Sequence, residues 1–190
     1  MNADRKRLVV VGAAALAVAA LAVSGSAVSS QDAEVRRGEY LVKGMGCGDC
    51  HTPIKMGPSG PEPDMARMLA GHPQSLVMPP APKLPPGPWL VSAAATFTAW
   101  AGPWGVSFTA NLTPDQKTGL GDWTAQTFVD TVRSGRLMAK GRKILPPMPI
   151  PAFQNLTDAD LRAIFAYLHT IPAVANRVPE PVPPADGDGR

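Results

Sequence analysis

Proline sets the first constraint on this chain. Of its 22 prolines, thirteen fall between Pro53 and Pro114 and nine between Pro146 and Pro184, while segments 31–52 and 115–145 hold none. Inside a helix a proline removes a hydrogen bond and clashes with the preceding turn, at a cost of about 3 kcal/mol. Helices are therefore confined to the two free windows and to the gaps between clustered prolines. With 190 residues the chain has length for one domain with a sizeable core.

Three helices are predicted. The first runs over about Ala33 to Gly44, with Asp32 as N-cap and Val35, Tyr40 and Leu41 as apolar contacts, and stops at the glycines around Cys47. The second covers about Thr124 to Ser134. Phe128, Val129 and Val132 share one side, and Gly135 suits a left-handed stop. The third opens on Thr157–Asp160, "TDAD", which resembles a capping box with Asp in place of Glu. Leu161, Ile164, Phe165 and Leu168 then follow at i, i+3, i+4 and i+7, and Pro172 ends it. Between Thr52 and Thr113 the pattern predicts mostly loop, with one hairpin, "TFTAWAGPWGVSF", turning at Ala101-Gly102-Pro103. The proline-rich tail, residues 173–190, reads as extended and partly disordered.

The first thirty residues read as an address. A basic "MNADRKR" precedes the apolar run Leu8 to Val23 and the small residues "SGSAVSS", the layout of a secretory signal peptide. No charge occurs from Leu8 to Gln31, so residues 8–28 also suffice as an N-terminal membrane anchor, which needs about 20 residues. Both fates export the remainder, to a soluble periplasmic location or one tethered to the inner membrane. Net charge is +3, of which Arg5, Lys6 and Arg7 against Asp4 supply +2. The remainder is nearly neutral, a balance that does not call for nucleic acid.

Both cysteines fall within one short stretch, "MGCGDCHTP", residues 45–53. Cys47-Gly48-Asp49-Cys50-His51 is C-x-x-C-H, the attachment pattern for one c-type haem. Two thiols separated by two residues can add to neighbouring vinyl groups of one porphyrin. The next residue then places an imidazole under the iron as proximal ligand. Gly48 is read as the residue that permits the tight turn. A redox dithiol would not need His51 and would sit in a βαβ pattern, which is absent. A zinc site would want a second ligand pair, and a disulfide across two residues would be strained.

Iron held by one histidine needs a sixth ligand or keeps an open site. Met148 in "LPPMPIP" is the leading candidate, because Pro146, Pro147, Pro149 and Pro151 stiffen a strap that could present its thioether with little entropy left to lose. The competing reading is that Met148 fills a core gap, as methionine often does. Met138 and the other Met and His residues are alternative ligands.

"RGEYLVKGMGCGDCHTP" at one end and "LPPMPIPAFQNLTDADLRAIFAYLHTIP" at the other resemble a class I c-type cytochrome. Between them, "NLTPDQKTGLGDWTAQTFVDTVRSG" is similar to the matching segment in cytochrome c subunits of periplasmic alcohol and aldehyde dehydrogenases. The resemblance covers most of residues 35–172. It implies a mainly α, cytochrome c-like helical fold around one haem over residues 31–172, with a long proline-rich insert at about 54–110. It also implies His51/Met148 ligation and first and last helices that cross over the haem. Gly38 and Tyr40 would match the crossing residues of the first helix, and Phe165, Tyr167 and Leu168 those of the last. Dehydrogenase subunits of this kind often carry three such domains, whereas this chain has one haem motif.

Around that haem, Trp123 is a candidate indole donor to a propionate and Asn111 a candidate amide donor, against core packing and a turn role respectively. Arg142 and Lys143 are basic candidates for the same groups. Met65, Met68 and His72 are read as a weak copper-type cluster. Trp89, Trp100 and Trp104 are expected to cover the haem or fill the core beneath the insert, with partner docking as a second role for the insert. The function implied is single-electron transfer to transient redox partners: a dehydrogenase, an oxidase or another cytochrome. The alternatives are a haem enzyme or gas binder with an open sixth site, and a haem-bearing subunit of a membrane-bound dehydrogenase or respiratory complex.

Overall fold

The computed structural model describes residues 29–85 and 87–184. The signal or anchor segment, residues 1–28, and the end of the tail lie outside the described residues. Helix α1 spans Ser30–Gly44 and α2 spans Cys47–His51. Strands β1 (Ile54–Gly57) and β2 (Gly60–Pro63) form an antiparallel hairpin. Strands β3 (Ser92–Ala93), β4 (Ala99–Gly102) and β5 (Gly105–Phe108) form a second antiparallel sheet in the order β3-β4-β5. Helices α3 (Ala125–Ser134), α4 (Ile150–Phe153) and α5 (Asp158–Leu168) follow. Helix exceeds strand among the described residues, and most of 68–98 is in neither.

The three predicted helices are present, with one change of cap and with Tyr40 of the first exposed at 68% rather than serving as an apolar contact. α1 begins at Ser29, whose Oγ accepts from the Asp32 N–H at 3.0 Å. Asp32 instead lies in the first turn, where its charge favours the helix N-terminus. α3 stops at Gly135 in the left-handed region, φ 63°, as its sequence requires. α4 lies inside a proline cluster. Pro151 occupies its first turn, where a missing N–H costs no helical bond, so the stiff strap ends at Pro149 rather than at Pro151. The β1–β2 hairpin escaped sequence reading because Gly57, Gly60, Pro61 and Pro63 are poor strand formers, tolerated where a two-stranded ribbon has only edges.

α5 is the spine of the core. Leu161, Ile164 and Leu168 are at most 1% exposed and pack with Leu41 and Val42 of α1, Val129 and Val132 of α3, and Phe153 of α4. α1 lies hard against α5 at Gly38, where a Cβ would overlap the Ala163 carbonyl and stand 2.8 Å from Tyr167 Cβ. The same two helices are tied by Arg37 Nε, which donates to Asp160 Oδ1 at 2.9 Å. Asp160 also accepts from the Thr157 hydroxyl at 2.8 Å, which with the Thr157 cap on the Asp160 N–H closes the start of α5. The Thr157 hydroxyl and then Arg37 hold the Asp160 carboxyl below the usual carboxylate value. Its contribution is therefore present above the ordinary carboxylate range and lost as pH falls through the lower folded value. Asp160→Asn should cost less than about 1 kcal/mol at neutral pH, because the pair is partly solvated. Urea titrations of the two proteins should converge in acid, and a constant gap would exclude this ionic origin.

The tail corrects expectation most. Residues 173–184 are extended, but they are pinned rather than loose. Val182 pairs with Val106 of β5 through two backbone bonds of 2.8 and 2.9 Å, and Glu180 accepts from Arg142 Nε at 3.3 Å. Asn176 is fully buried. Its Nδ2 donates to the Ala70 and His72 carbonyls at 2.7 and 2.8 Å, and its Oδ1 accepts from Gln74 N–H and Arg67 Nη2 at 2.8 and 2.9 Å. One amide thereby locks the tail to the insert. Trp89 also departs from expectation: it is 77% exposed and covers nothing in the core.

Candidate haem site

The C-x-x-C-H motif forms the single helical turn α2. Gly46, not Gly48, permits it. Gly46 caps the turn with φ 67°, a conformation that disfavours side chains, whereas Gly48 is helical and a Cβ there would meet only Thr52 Oγ1 at 3.6 Å. The turn is held by Thr52 N–H to Gly48 carbonyl at 3.0 Å and by Gly71 N–H to the His51 carbonyl at 2.8 Å. Thr52 Oγ1 also accepts from Leu69 N–H at 3.0 Å. The segment after β2 is thus stitched along α2.

His51 is buried, at 9% exposure. Its Nδ1 lies 2.8 Å from the Ala110 carbonyl, which can only accept, so Nδ1 carries the proton. Nε2 is left as a bare lone pair with no hydrogen bond among the described residues. A backbone carbonyl on one ring nitrogen fixes both tautomer and ring plane, which is how proteins present imidazole to a metal. Burial lowers the basicity of His51 more than the Ala110 bond raises it, so the ring is in the neutral form that can ligate.

Cys47 and Cys50 are free thiols. Burial pushes the Cys47 thiol up to about 11, and burial followed by the Asp49 charge raises Cys50 as well. A redox dithiol needs the opposite, a nucleophilic thiol depressed toward neutral pH. Cys47 packs against the same core as Met148, Met45 and Met68. Met45 precedes Cys47 by two residues, and Met68 belongs to the segment stitched along His51. Met148 alone of these comes from a separate element, on the strap that enters α4. Met138 is 57% exposed within the short 3-10 turn Leu137–Ala139.

The other candidates divide. Trp123 is half-buried against the core at the entry to α3, and its indole N–H has no partner among the described residues. Asn111, read as a candidate propionate donor, has its amide engaged within the protein. Its Nδ2 donates to the Val174 carbonyl at 2.8 Å, with longer contacts to Thr118 Oγ1 and the Asn176 carbonyl, and its Oδ1 accepts from Thr113 N–H and Oγ1. Every hydrogen of that amide serves the 111–118 turn and the tail. Arg142 is drawn away by Glu180. His72 has both nitrogens in use, with Thr98 Oγ1 at 2.9 Å and the Leu76 carbonyl at 3.0 Å, and Met65 is exposed, so no copper cluster forms. Sequence reading passed over Arg67. Its Nη2 bonds Asn176, while its buried Nε has no acceptor among the described residues. A buried cationic donor left unpaired is costly, and no acceptor among the described residues offsets it.

The donor set that results, two thiols and an oriented neutral imidazole on one turn, suits a covalently attached porphyrin. This is the class of site found in cytochromes c. Comparison with known proteins agrees. The chain is 30% identical over 147 residues to the gluconate 2-dehydrogenase cytochrome c subunit of Pantoea cypripedii, covering 77% of this chain and 25% of that protein. It is 29% identical over 172 residues to the cytochrome c subunit of the quinone alcohol dehydrogenase of Gluconobacter oxydans, covering 87% and 28%. A third relative, the fructose dehydrogenase cytochrome subunit of Gluconobacter japonicus, is 27% identical over 142 residues, covering 75% of this chain and 22% of that protein. The resemblance read from the motifs therefore holds: relatives at 27–30% identity over most of this chain are cytochrome c subunits of dehydrogenases. The chain spans about a quarter of the length of those relatives. No family model matches it.

Proposed function

We propose that this chain is a monohaem electron-transfer protein or subunit, with a cytochrome c-like fold over residues 31–172. Haem c, when bound, supplies a one-electron Fe(II)/Fe(III) couple. Cys47 and Cys50 would hold it covalently and His51 would ligate it through Nε2. The observation that carries the reading is His51 itself: buried, neutral, oriented by the Ala110 carbonyl, and free at Nε2 within a C-x-x-C-H turn. Met148 would be the second protein ligand, and a thioether in that role raises the potential relative to a second histidine. Trp123 Nε1, unpartnered among the described residues, would donate to a propionate. A His51/Met148 ligand pair would leave the iron no site for an exogenous ligand, which suits an electron carrier rather than a gas binder or haem enzyme.

The natural partner is a dehydrogenase. The relatives are subunits of such enzymes, and this chain exposes Val77, Trp89 and Leu90, apolar side chains that a partner could cover. The location is periplasmic, reached through the N-terminal segment. No helix among the described residues is long and apolar enough to cross a membrane.

The absorption spectrum of the reduced protein before and after carbon monoxide tests the assignment. It should not change for the wild type, and Met148→Leu should give a protein that binds carbon monoxide. A shift in the wild type would overturn Met148 as ligand and favour gas binding or catalysis. Absence of a haem mass adduct that survives denaturation would overturn covalent attachment.

A further inference from the structure

The strap that carries Met148 has an anchoring problem. Pro146, Pro147, Pro149 and Pro151 have no N–H, so the strap can tie itself to the body of the protein chiefly through its carbonyls. Downstream of Met148 the tie is clear. Ile150 N–H donates to the Met148 carbonyl at 2.9 Å, and Ile150 and Phe153 of α4 are buried. Upstream, Ser107 of β5 supplies it. The Ser107 hydroxyl donates to the Pro146 carbonyl at 2.6 Å, two residues before Met148. The Trp100 carbonyl is a second acceptor at 3.4 Å, but a hydroxyl has one hydrogen, and the shorter contact takes it. On its other side Ser107 Oγ accepts from Trp104 Nε1 at 3.2 Å, which polarises the hydroxyl toward Pro146.

The hairpin behind Ser107 is well braced. β4 and β5 pair from Ala99↔Phe108 to Gly102↔Gly105, and the Trp104 ring folds back over Gly102. The tail closes the other edge through the Val106↔Val182 bridge. Ser107 is buried, at 7% exposure, so water cannot readily replace its bond to the strap.

We propose that Ser107 is a positioning residue for Met148, and that the β4–β5 hairpin of the insert serves as a clamp on the axial-ligand strap. The inference rests on the reading of Met148 as the sixth ligand. It gives the insert a task beyond lengthening the chain: the Trp104–Ser107–Pro146 chain sets how often the thioether leaves the iron.

The test is the rate at which imidazole enters the Fe(III) form of the full haem-loaded chain, a rate limited by departure of the native ligand. Ser107→Ala should raise it about tenfold, the size expected when one buried hydrogen bond is lost. Trp104→Phe, which leaves the Ser107–Pro146 bond in place, should raise it less. It also serves as the second probe if Ser107→Ala fails to accumulate. In a Met148→Leu background, adding Ser107→Ala should change nothing, since the ligand being restrained is gone. An unchanged rate in Ser107→Ala, with faster entry in Met148→Leu, overturns the clamp and leaves the axial assignment standing. Unchanged entry in Met148→Leu overturns both. A merely structural Ser107 would lower the unfolding midpoint without moving the imidazole rate.

Discussion

Gly38→Ala is expected to destabilise the protein by about 3 kcal/mol, although the substitution would favour α1 taken alone by about 1 kcal/mol in helix propensity. The new Cβ would overlap the Ala163 backbone carbonyl and sit 2.8 Å from Tyr167 Cβ. A backbone carbonyl within α5 cannot swing aside as a side-chain tip can. The two helices must separate instead, which loosens Leu41 and Val42 against Leu161 and Ile164. For a chain of this size the loss corresponds to roughly 10 °C in the unfolding midpoint, readable by circular dichroism. An alanine variant equal to or more stable than the wild type would show that propensity wins and that the crossing has slack. Gly38→Val should be worse still, since it adds bulk and loses the propensity gain.

Asn176→Ala should cost about 3–5 kcal/mol, more than any change in the exposed charges. It strands the carbonyls of Ala70 and His72, the Gln74 N–H and part of the Arg67 guanidinium in a site that water does not reach, and leaves a cavity. Asn176→Asp tests the geometry independently. It keeps the volume but points an acceptor at two carbonyl oxygens that now receive a hydrogen from Nδ2, so it should be at least as damaging despite its proximity to Arg67. Denaturant titration reads both. Tolerance of either change would mean that the tail is an accessory rather than part of the fold. Limited proteolysis should also release residues after Arg177 from the alanine variant first, because Asn176 is the buried tie between tail and insert.

Local chemistry in the sequence determined a good deal here. The C-x-x-C-H turn is legible because two thiols and an imidazole at fixed spacing have few other uses. The three helices are legible because apolar periodicity, hydroxyl caps, Gly135 and the proline map all speak within a few residues of one another. Gly38 could be assigned to a close crossing only through family resemblance; the clash with Ala163 is a fact of two helices 125 positions apart in the chain. The hairpin at 99–108 announced itself through its aromatic arms, although it turns at Pro103-Trp104 and keeps Ala101 and Gly102 in β4, while the one at 54–63 hid behind glycine and proline.

What tertiary structure alone decided is where each polar group spends its hydrogen bonds. Asn111 looked like a free amide and is consumed by the tail; Asn176, unremarked in a proline-rich stretch, joins the tail to the insert; Arg67 keeps a buried donor unspent. The serine that grips the Met148 strap lies 39 residues from the carbonyl it holds. Hydrophobic periodicity can be read from neighbours along the chain, because burial of a face needs only the spacing of a helix or strand. Pairing of a particular donor with a particular acceptor depends on which distant segments the packed core brings within 3 Å, and no local pattern carries that information.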